Sequence, residues 1–318
     1  MEKAASRDGY GKGLLKIAED MDVVVLDADL QDSTRSLQFG EKYPERFFTM
    51  GISEADMVCT AAGLASAGKK PFASSFSCFL VRRALDQIFV SVCYSKMNVK
   101  LVGSHAGLAT GEDGPTAQEI TDIALMRALP NMKVIVPADS VQAEKAVEAM
   151  HNHMGPVYMR MSRAPVQIIY DDAHVFEVGK GYVVKDGNDA TIIACGTMVS
   201  ESLKAAEELE KDGTKVAVIN MSTIKPLDKE LVISYARKTR AIVTAEDHSI
   251  IGGLGAAVEE ALNEAEFFLP VQKVAVRDMF AESGKPEELY KKYGLSFEHI
   301  VNAVKRAVLK KQSNNKGF

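Results

Sequence analysis

The sequence predicts an α/β protein made of two doubly wound domains with mostly parallel sheets. Short runs of Val, Ile and Leu alternate with helical patterns along most of the 318 residues, which is typical of a parallel sheet covered by helices. A polar connection interrupts this alternation, and a second alternation follows it. We therefore divide the chain into a first domain over 1–172, a linker over 173–187 and a second domain over 188–318.

The first domain begins with a helical pattern and then alternates. Its apolar runs predict strands over 23–26, 47–50, 70–75, 99–102, 134–136 and 157–160. The segments between and before them predict helices over 7–20, 55–67, 79–94 and 141–151. Apolar residues four apart favour one buried face for the third of these helices: Leu80, Ala84, Ile88 and Val92.

The second domain repeats the alternation with fewer clear elements. Its apolar runs predict strands over 191–194, 216–219 and 241–244. Helices are predicted over 199–211 and 255–265. This order is again that of a mostly parallel sheet.

The segment around Glu54 joins an aromatic strand to a helix rich in small residues. Ser53, followed three residues later by Asp56, predicts a capping box at the start of that helix. Glu54 then lies between a strand end and a buried helix, where α/β folds bind ligands. The alternative is that Glu54 only complements the helix dipole, a contribution of a few tenths of a kcal/mol.

Polar side chains follow several strands of the first domain. They are Asp29, Glu54, Ser75, His105 and Arg163. Parallel strands bring their carboxyl ends to one edge of the sheet, so we expect a functional site there.

Composition excludes several classes of function. The net charge of −5 gives no basic surface for nucleic acid. No apolar run approaches the roughly 18 residues of a membrane span, and the first residues do not form a signal peptide. The four cysteines lie mostly in apolar patterns typical of buried thiols, and the six histidines show no metal-binding spacing. We expect a cytoplasmic protein without nucleic-acid or membrane partners.

Several short motifs occur together in a fixed order and resemble those of the C-terminal half of transketolase. In the first domain they are Gly51-Ile52-Ser53-Glu54, Ser75-Phe76-Ser77-Cys78-Phe79, Gly103-Ser104-His105, Gly111-Glu112-Asp113-Gly114-Pro115 and Ser162-Arg163. In the second domain they are Thr223-Ile224-Lys225-Pro226-Leu227-Asp228, Glu246-Asp247-His248 and Gly252-Gly253-Leu254-Gly255. The resemblance implies a pyrimidine-binding domain that binds thiamine diphosphate, followed by a transketolase C-terminal-like domain.

The resemblance also implies the cofactor site. A glutamate at the Glu54 position hydrogen-bonds a ring nitrogen of the aminopyrimidine of thiamine diphosphate and so promotes loss of the C2 proton. It must hold its proton near neutral pH, which implies an apolar pocket around it. Phe76 and Phe79 resemble the aromatic residues that pack on the pyrimidine, although core packing is their alternative role. Asp29 and Ile52 are further cofactor-binding candidates.

Substrate residues follow from the same resemblance. Arg7, Ser33, His105 and Arg163 match positions that hold the sugar phosphate, for which the planar guanidinium is well suited. Asp113 matches the acidic residue that contacts a substrate hydroxyl. The alternatives are that His105 is a loop histidine and Arg163 forms a surface ion pair.

Two positions depart from the family pattern. Ala117 replaces a histidine that many members carry, which leaves the donor sugar open. Arg82 stands where many members place a tyrosine beside the cofactor, so we count it among the cofactor-binding residues. A cation close to Glu54 would disfavour a protonated carboxyl group, so we expect Arg82 to point outward or to pair with a carboxylate such as Asp86.

The chain contains no Gly-Asp-Gly motif, which in this cofactor class holds Mg²⁺ and the diphosphate. The resemblance also begins near residue 4, without the N-terminal domain of the family. We therefore expect the smaller subunit of a split transketolase. Its N-terminal-half partner would bind Mg²⁺ (or Ca²⁺), and the chain would dimerise within a heterotetramer.

The resemblance implies transfer of a two-carbon ketol unit between a ketose phosphate and an aldose phosphate. Related alternatives are a half of a 1-deoxyxylulose-5-phosphate synthase-like enzyme and the beta subunit of a 2-oxo acid dehydrogenase. A different alternative is a non-catalytic paralogue that only scaffolds a partner. The motifs around His105 and Asp113 favour transketolase over the first two, and the retention of Glu54 argues against the third.

Overall fold

The computed structural model describes residues 2–314. Its strands are β1 (Lys3–Ala4), β2 (Val23–Asp27), β3 (Phe47–Thr49), β4 (Lys70–Phe76), β5 (Lys100–Ser104), β6 (Lys133–Ile135), β7 (Val157–Arg160), β8 (Val166–Gln167), β9 (Tyr182–Lys185), β10 (Ala190–Ala194), β11 (Val216–Asn220), β12 (Thr223–Lys225), β13 (Ile242–Ser249) and β14 (Val271–Val276). The strands predicted from the apolar runs are all present with small shifts at their ends, except that β13 extends five residues beyond the end predicted at 244.

The helices alternate with these strands. They are α1 (Ser6–Lys16), α2 (Gln31–Thr34), α3 (Leu37–Lys42), α4 (Glu54–Ser66), α5 (Ser77–Arg83), α6 (Leu85–Gln87), α7 (Asp122–Ala128), α8 (Ser140–Asn152), α9 (Met198–Lys211), α10 (Lys229–Thr239), α11 (Leu254–Glu264), α12 (Pro286–Lys292) and α13 (Phe297–Asn314). Shorter 3₁₀ segments occur at Pro44–Arg46 and Leu108–Asp113. No helix within residues 2–314 combines the length and apolar content needed to cross a membrane.

Two mostly parallel sheets form the framework, as predicted. The first has seven strands in the order β12-β6-β7-β5-β4-β2-β3, and only β12 runs antiparallel to its neighbour. The second has five strands in the order β14-β13-β10-β11-β9, with β9 antiparallel. Strands β1 and β8 form a separate antiparallel pair.

The connection between the two sheets is more ordered than the linker predicted over 173–187. Strand β9 lies inside that stretch and pairs with β11 of the second sheet. Strand β12, although it follows β11 in sequence, returns to the first sheet and pairs with β6. The domain boundaries themselves remain a prediction.

Strand β2 shows why the first sheet is covered on both faces. All five of its residues are buried, as expected for a parallel strand between two layers of helices. Val24 and Leu26 join the core cluster that contains α4, whereas Val23 and Val25 join the opposite cluster with Leu14 of α1. The alternation of side chains along a strand therefore builds both cores at once.

Two local expectations are wrong. The helix predicted over 79–94 is interrupted at Ala84, which has φ −114° and ψ 17°, and continues after α6 as a π-helix over Ile88–Tyr94. The buried face itself is confirmed, because Leu80, Ala84, Ile88 and Val92 all lie in one core cluster. Ser53 is the N-cap of α4, but its side chain makes no capping hydrogen bond.

Helices α1 and α8 cross at Gly9, and this contact gives a stability prediction. A Cβ atom at Gly9 would lie 1.8 Å from the carbonyl oxygen of Ser140. We expect Gly9→Ala to lower the free energy of unfolding by about 1–3 kcal/mol, because the backbones must separate. Urea denaturation of the full chain measures this change.

Gly63→Ala is the matched control, since Gly63 is an exposed residue inside α4, and an added methyl group there would meet no atom within 4 Å. It should raise the free energy of unfolding by roughly 0.5–1 kcal/mol, because alanine loses less backbone entropy in a helix. Equal urea midpoints for the two variants would contradict the close crossing at Gly9.

Candidate active site

The carboxyl ends of the central strands of the first sheet form one edge. Strands β7, β5, β4 and β2 are neighbours and run parallel, so their ends lie side by side. Phe76 at the end of β4 lies opposite Ser104 at the end of β5, and Gly103 lies opposite Arg160 of β7. The expectation that polar strand-end residues share one edge of the sheet is confirmed.

Glu54 is the buried carboxylate of this edge. It is the first residue of α4, and its side chain is 2% exposed. Nη1 of Arg83 donates to both carboxylate oxygens at 3.1 Å, and the Ser75 hydroxyl donates to Oε1 at 3.5 Å. The carboxylate is therefore held by a cation and a hydroxyl at the start of a helix.

The expectation of an apolar pocket around Glu54 is therefore wrong, because a cation contacts the carboxylate. A buried carboxylate needs a partner, and Arg83 supplies it from α5. The Arg83 guanidinium also lies over the Phe79 ring, 4.2 Å from its centroid, while its side chain remains 48% exposed. Phe79 and Arg83 are four residues apart in the sequence, a spacing that brings them to one helix face, but Arg82, three residues after Phe79, satisfies the same rule.

Arg82, which the sequence singled out instead, makes different contacts. Its Nε lies 3.0 Å from Oε2 of Glu119, and its Nη2 donates to the carbonyl oxygen of Thr116 at 2.6 Å. The expectation that Arg82 pairs with a carboxylate is therefore confirmed, but the partner is Glu119 and not Asp86. The Glu119 side chain is 2% exposed whereas Asp86 is exposed, so Glu119 has the greater need of a cation. A cofactor-binding role of Arg82 remains a prediction.

Three aromatic rings form a row that begins at Phe79, the ring under the Arg83 guanidinium that holds Glu54. The rings of Phe79 and Phe76 are 5.8 Å apart and 16° from parallel. Phe76 in turn stacks on the ring of His105, with 3.8 Å between centroids and 22° between planes. This aromatic row connects the Glu54–Arg83 pair to the loop that carries His105.

His105 is buried and neutral. Burial, and then the positive charges of Arg7 and Arg163, lower the pKa of His105 to about 3. Its Nδ1 lies 2.9 Å from the hydroxyl of Ser104, and its backbone is left-handed with φ 56°. His105 can therefore act by hydrogen bonding at neutral pH but not as a cation.

Arg7 faces the same region from the start of α1. Its Nη1 donates to the carbonyl oxygen of Ser33 at 2.9 Å, so the contact uses the Ser33 backbone. Its buried Nε has no hydrogen-bond partner within residues 2–314. A half-buried guanidinium with an unused donor is suited to an anionic ligand.

Arg163 and Asp113, both predicted to contact substrate, contact each other. Nη1 of Arg163 lies 3.1 Å from Oδ1 of Asp113 and donates to the carbonyl oxygen of Thr110, also at 3.1 Å. The two side chains are 40% and 38% exposed. Such a half-exposed pair contributes only about 0–1 kcal/mol, so a ligand can compete for either group.

The remaining candidates lie on the same edge but face solvent. Asp29 is exposed with φ 63°, and Ile52 is 77% exposed. The nearby Asp27 is buried instead and accepts hydrogen bonds from Thr34 Oγ1 at 2.7 Å and Ser36 Oγ at 2.8 Å. Burial raises the pKa of Asp27 to about 6. Asp27 thus stabilises the segment that carries Asp29, whose cofactor role remains a prediction.

The fit of this edge to thiamine diphosphate is partial. A buried carboxylate beside stacked aromatic rings suits a flat heterocycle with ring nitrogens. The same edge offers no metal site: within residues 2–314, no three His, Cys, Asp or Glu side chains come together as a metal-binding group. The residues present therefore fit the aminopyrimidine end of the cofactor.

Family models match both parts of the chain. Residues 2–167 match the model of the transketolase pyrimidine-binding domain, and residues 179–300 match that of the transketolase C-terminal domain. Together the two matches cover most of the sequence.

Individual relatives agree with the family models. The chain is 42% identical to the 6-deoxy-6-sulfo-D-fructose transketolase subunit of a Clostridium species, over 95% of this chain and 94% of that protein. It is 40% identical to mouse transketolase over 97% of this chain, but this match covers only 50% of the mouse protein. A solved structure described as a split-gene transketolase in an inactive beta4 tetramer superposes with a TM-score of 0.90 at 47% identity, covering 96% of this chain and 98% of that one.

Proposed function

The chain belongs to the transketolase family, and from this premise we propose that it is one subunit of a split, thiamine diphosphate-dependent transketolase. The reaction is transfer of a two-carbon ketol unit between a ketose phosphate and an aldose phosphate. The observation that carries the proposal is the buried Glu54 carboxylate beside the aromatic row that leads to His105.

Glu54, Phe76 and Phe79 would hold the aminopyrimidine. Glu54 offers its carboxyl group to a ring nitrogen, and the two aromatic rings offer an apolar face. When bound, thiamine diphosphate supplies the electron sink for cleavage of the bond next to a ketose carbonyl. The chain contributes proton transfer at Glu54 and the orientation of the ring.

Arg83 sets the starting state of Glu54. In this structure both Glu54 oxygens accept hydrogen bonds from Arg83, so the carboxyl group must exchange this partner for a ring nitrogen. The exchange is feasible because the Arg83 side chain is 48% exposed and can be hydrated when it leaves. Glu54 can then take up and release a proton in a site from which Arg83 has moved.

The substrate groups lie at the far end of the aromatic row. Arg7 and Arg163 supply positive charge for the sugar phosphate, with Ser33 beside Arg7. Asp113, released from its pair with Arg163, would accept a hydrogen bond from a sugar hydroxyl. Neutral His105 would bind a substrate oxygen without adding charge.

A partner subunit would complete the site. It corresponds to the N-terminal half of a transketolase and would bind the diphosphate through Mg²⁺ or Ca²⁺. The exposed apolar side chains of Phe48 and Ile52, which precede Glu54 in the sequence, provide surface for subunit contacts. In the proposed assembly, this chain dimerises inside a cytoplasmic heterotetramer. The solved beta4 tetramer of the split-gene relative supports association of such chains with each other.

The isolated chain should bind thiamine diphosphate weakly, because the proposal assigns the diphosphate and metal contacts to the partner. Isothermal titration calorimetry with Mg²⁺ should show tight binding only for the mixture of both subunits. The partner alone is the control. A Kd of about 1 μM or tighter for the isolated chain would contradict the split-subunit proposal.

The activity itself is tested by co-expression with the partner. The complex should transfer ketol units among a panel of ketose and aldose phosphates. The assay should also include the sulfonated sugar 6-deoxy-6-sulfo-D-fructose, named for the clostridial relative, because Ala117 departs from the family histidine. Failure with every sugar, despite cofactor binding, would favour a non-catalytic paralogue.

A further inference from the structure

The Glu246-Asp247-His248 motif belongs to the second sheet, but its central residue contacts the first domain. Asp247 lies in β13 and is 2% exposed. Its Oδ1 accepts a hydrogen bond from the amide of Leu108 at 2.8 Å, and its Oδ2 accepts one from the amide of Ala109 at 3.2 Å. These are the first amides of the 3₁₀ segment in the loop 105–113 that carries His105 and Asp113.

The loop has no side chain of its own to cap these amides. The residue before the 3₁₀ segment is Gly107, with φ 76°. A Cβ atom there would lie 2.2 Å from Oδ2 of Asp247, so the carboxylate fits closely against the glycine backbone. The second domain thus supplies a cap that the loop lacks.

Asp247 is itself fixed on both sides. The hydroxyl of Tyr290 donates to Oδ2 at 2.8 Å, and Nη2 of Arg160 donates to the Asp247 carbonyl oxygen at 2.7 Å. Arg160 is paired with the buried Asp122 at 2.9 Å. Both carboxylate oxygens already accept hydrogen bonds from the protein, which indicates that Asp247 acts on the loop and not on a ligand.

We propose that Asp247 is a positioning residue through which the second domain holds the loop 105–113 in the conformation that presents His105 and Asp113 to the sugar. This inference rests on the proposed function, because that function assigns the two loop residues to substrate. It gives the second domain a role in the active site of the first.

The variant Asp247→Asn is a suitable test because it preserves size. An amide has only one oxygen, so its NH₂ group must face the backbone amide of either Leu108 or Ala109. Glu246→Gln is the matched control. Glu246 is buried in the same strand and accepts hydrogen bonds from two backbone amides, at 2.7 and 2.8 Å, but these belong to α11.

Hydrogen exchange of the full chain, followed by mass spectrometry, gives a readout without activity. In Asp247→Asn, amides in peptides covering 106–112 should exchange about tenfold faster or more, since each lost contact is a hydrogen bond to a charged group. Glu246→Gln should accelerate exchange around α11 and leave 106–112 unchanged. Equal exchange of 106–112 in the wild type and Asp247→Asn would overturn the inference.

Kinetics of the two-subunit complex separate positioning from general stability. Asp247→Asn should raise KM for the sugar phosphates by about tenfold, while exchange of the cofactor C2 proton should stay near the wild-type rate. A looser loop with unchanged KM would overturn the positioning role. Absence of ketol transfer by the wild-type complex would instead refute the proposed function, so the two failures are distinguishable.

Discussion

Glu54→Gln should reduce turnover of the two-subunit complex by about 10²–10⁴-fold, the range typical of a positioned acid–base group. Glutamine preserves the shape of the side chain and a hydrogen bond to the pyrimidine, but it cannot transfer a proton. Cofactor affinity should therefore stay within about tenfold, or roughly 1.4 kcal/mol. Steady-state ketol transfer and calorimetric titration of the cofactor measure the two effects separately.

Asp56→Asn is the matched control for this variant. Asp56 is an exposed carboxylate in the same first turn of α4, so its loss removes the same charge from the helix N-terminus. It should cost about 0.3–1 kcal/mol of stability and leave turnover nearly unchanged. Similar turnover in the two variants would mean that Glu54 only complements the helix dipole.

Arg163→Ala should raise KM for phosphorylated sugars by roughly 10–150-fold, which corresponds to the loss of a charge-assisted contact of about 1.5–3 kcal/mol. The kcat should change much less, because the phosphate contact is equally strong in the ground state and the transition state. Arg7→Ala should behave in the same way. Initial rates with phosphorylated and unphosphorylated substrates of the same sugar measure the effect.

Arg35→Ala tests whether the increase in KM reflects a lost contact with the phosphate or only a lower positive potential around the site. Arg35 lies near Arg7 and pairs with Asp8 at 2.9 Å, but it is not assigned to substrate. Its removal should change KM by less than about threefold, since exposed charges are screened. If Arg163→Ala weakened both kinds of substrate equally, the phosphate assignment would be wrong.

The position of the candidate site could be predicted from sequence because it depends on regular structure. Alternating strands and helices imply parallel strands, and parallel strands bring their carboxyl ends together. Phe76 ends a strand of the first sheet, and Glu54 and His105 follow strands of the same sheet, so their position at one edge does not depend on side-chain packing.

The partner of Glu54 could not be predicted in this way. Arg82 and Arg83 are adjacent on α5, and which of them meets Glu54 depends on how α5 rotates against α4, 29 residues earlier in the chain. The helix also ends at Ala84 without a periodic signal in the sequence. Arg82 and Arg83 follow Phe79 by three and four residues, so helical spacing alone does not distinguish them.

Contacts between the two domains could not be predicted from local sequence patterns either. Asp247 and Leu108 are 139 residues apart, and no spacing rule relates them. Strand β12 has only three residues, too few for a periodic pattern, and its return to the first sheet depends on pairing with β6. Both features arise from tertiary packing, which a single sequence records only indirectly.

The most direct test of the central claim is the exchange rate of the C2 proton of thiamine diphosphate bound to the two-subunit complex, followed by NMR in D₂O. The measurement needs no sugar, so it isolates the proposed work of Glu54 from substrate binding. We predict that Glu54→Gln slows this exchange by about 10²-fold or more, whereas Asp56→Asn leaves it unchanged. An exchange rate in Glu54→Gln equal to that of the wild type would contradict the assignment of Glu54 as the proton-transferring residue.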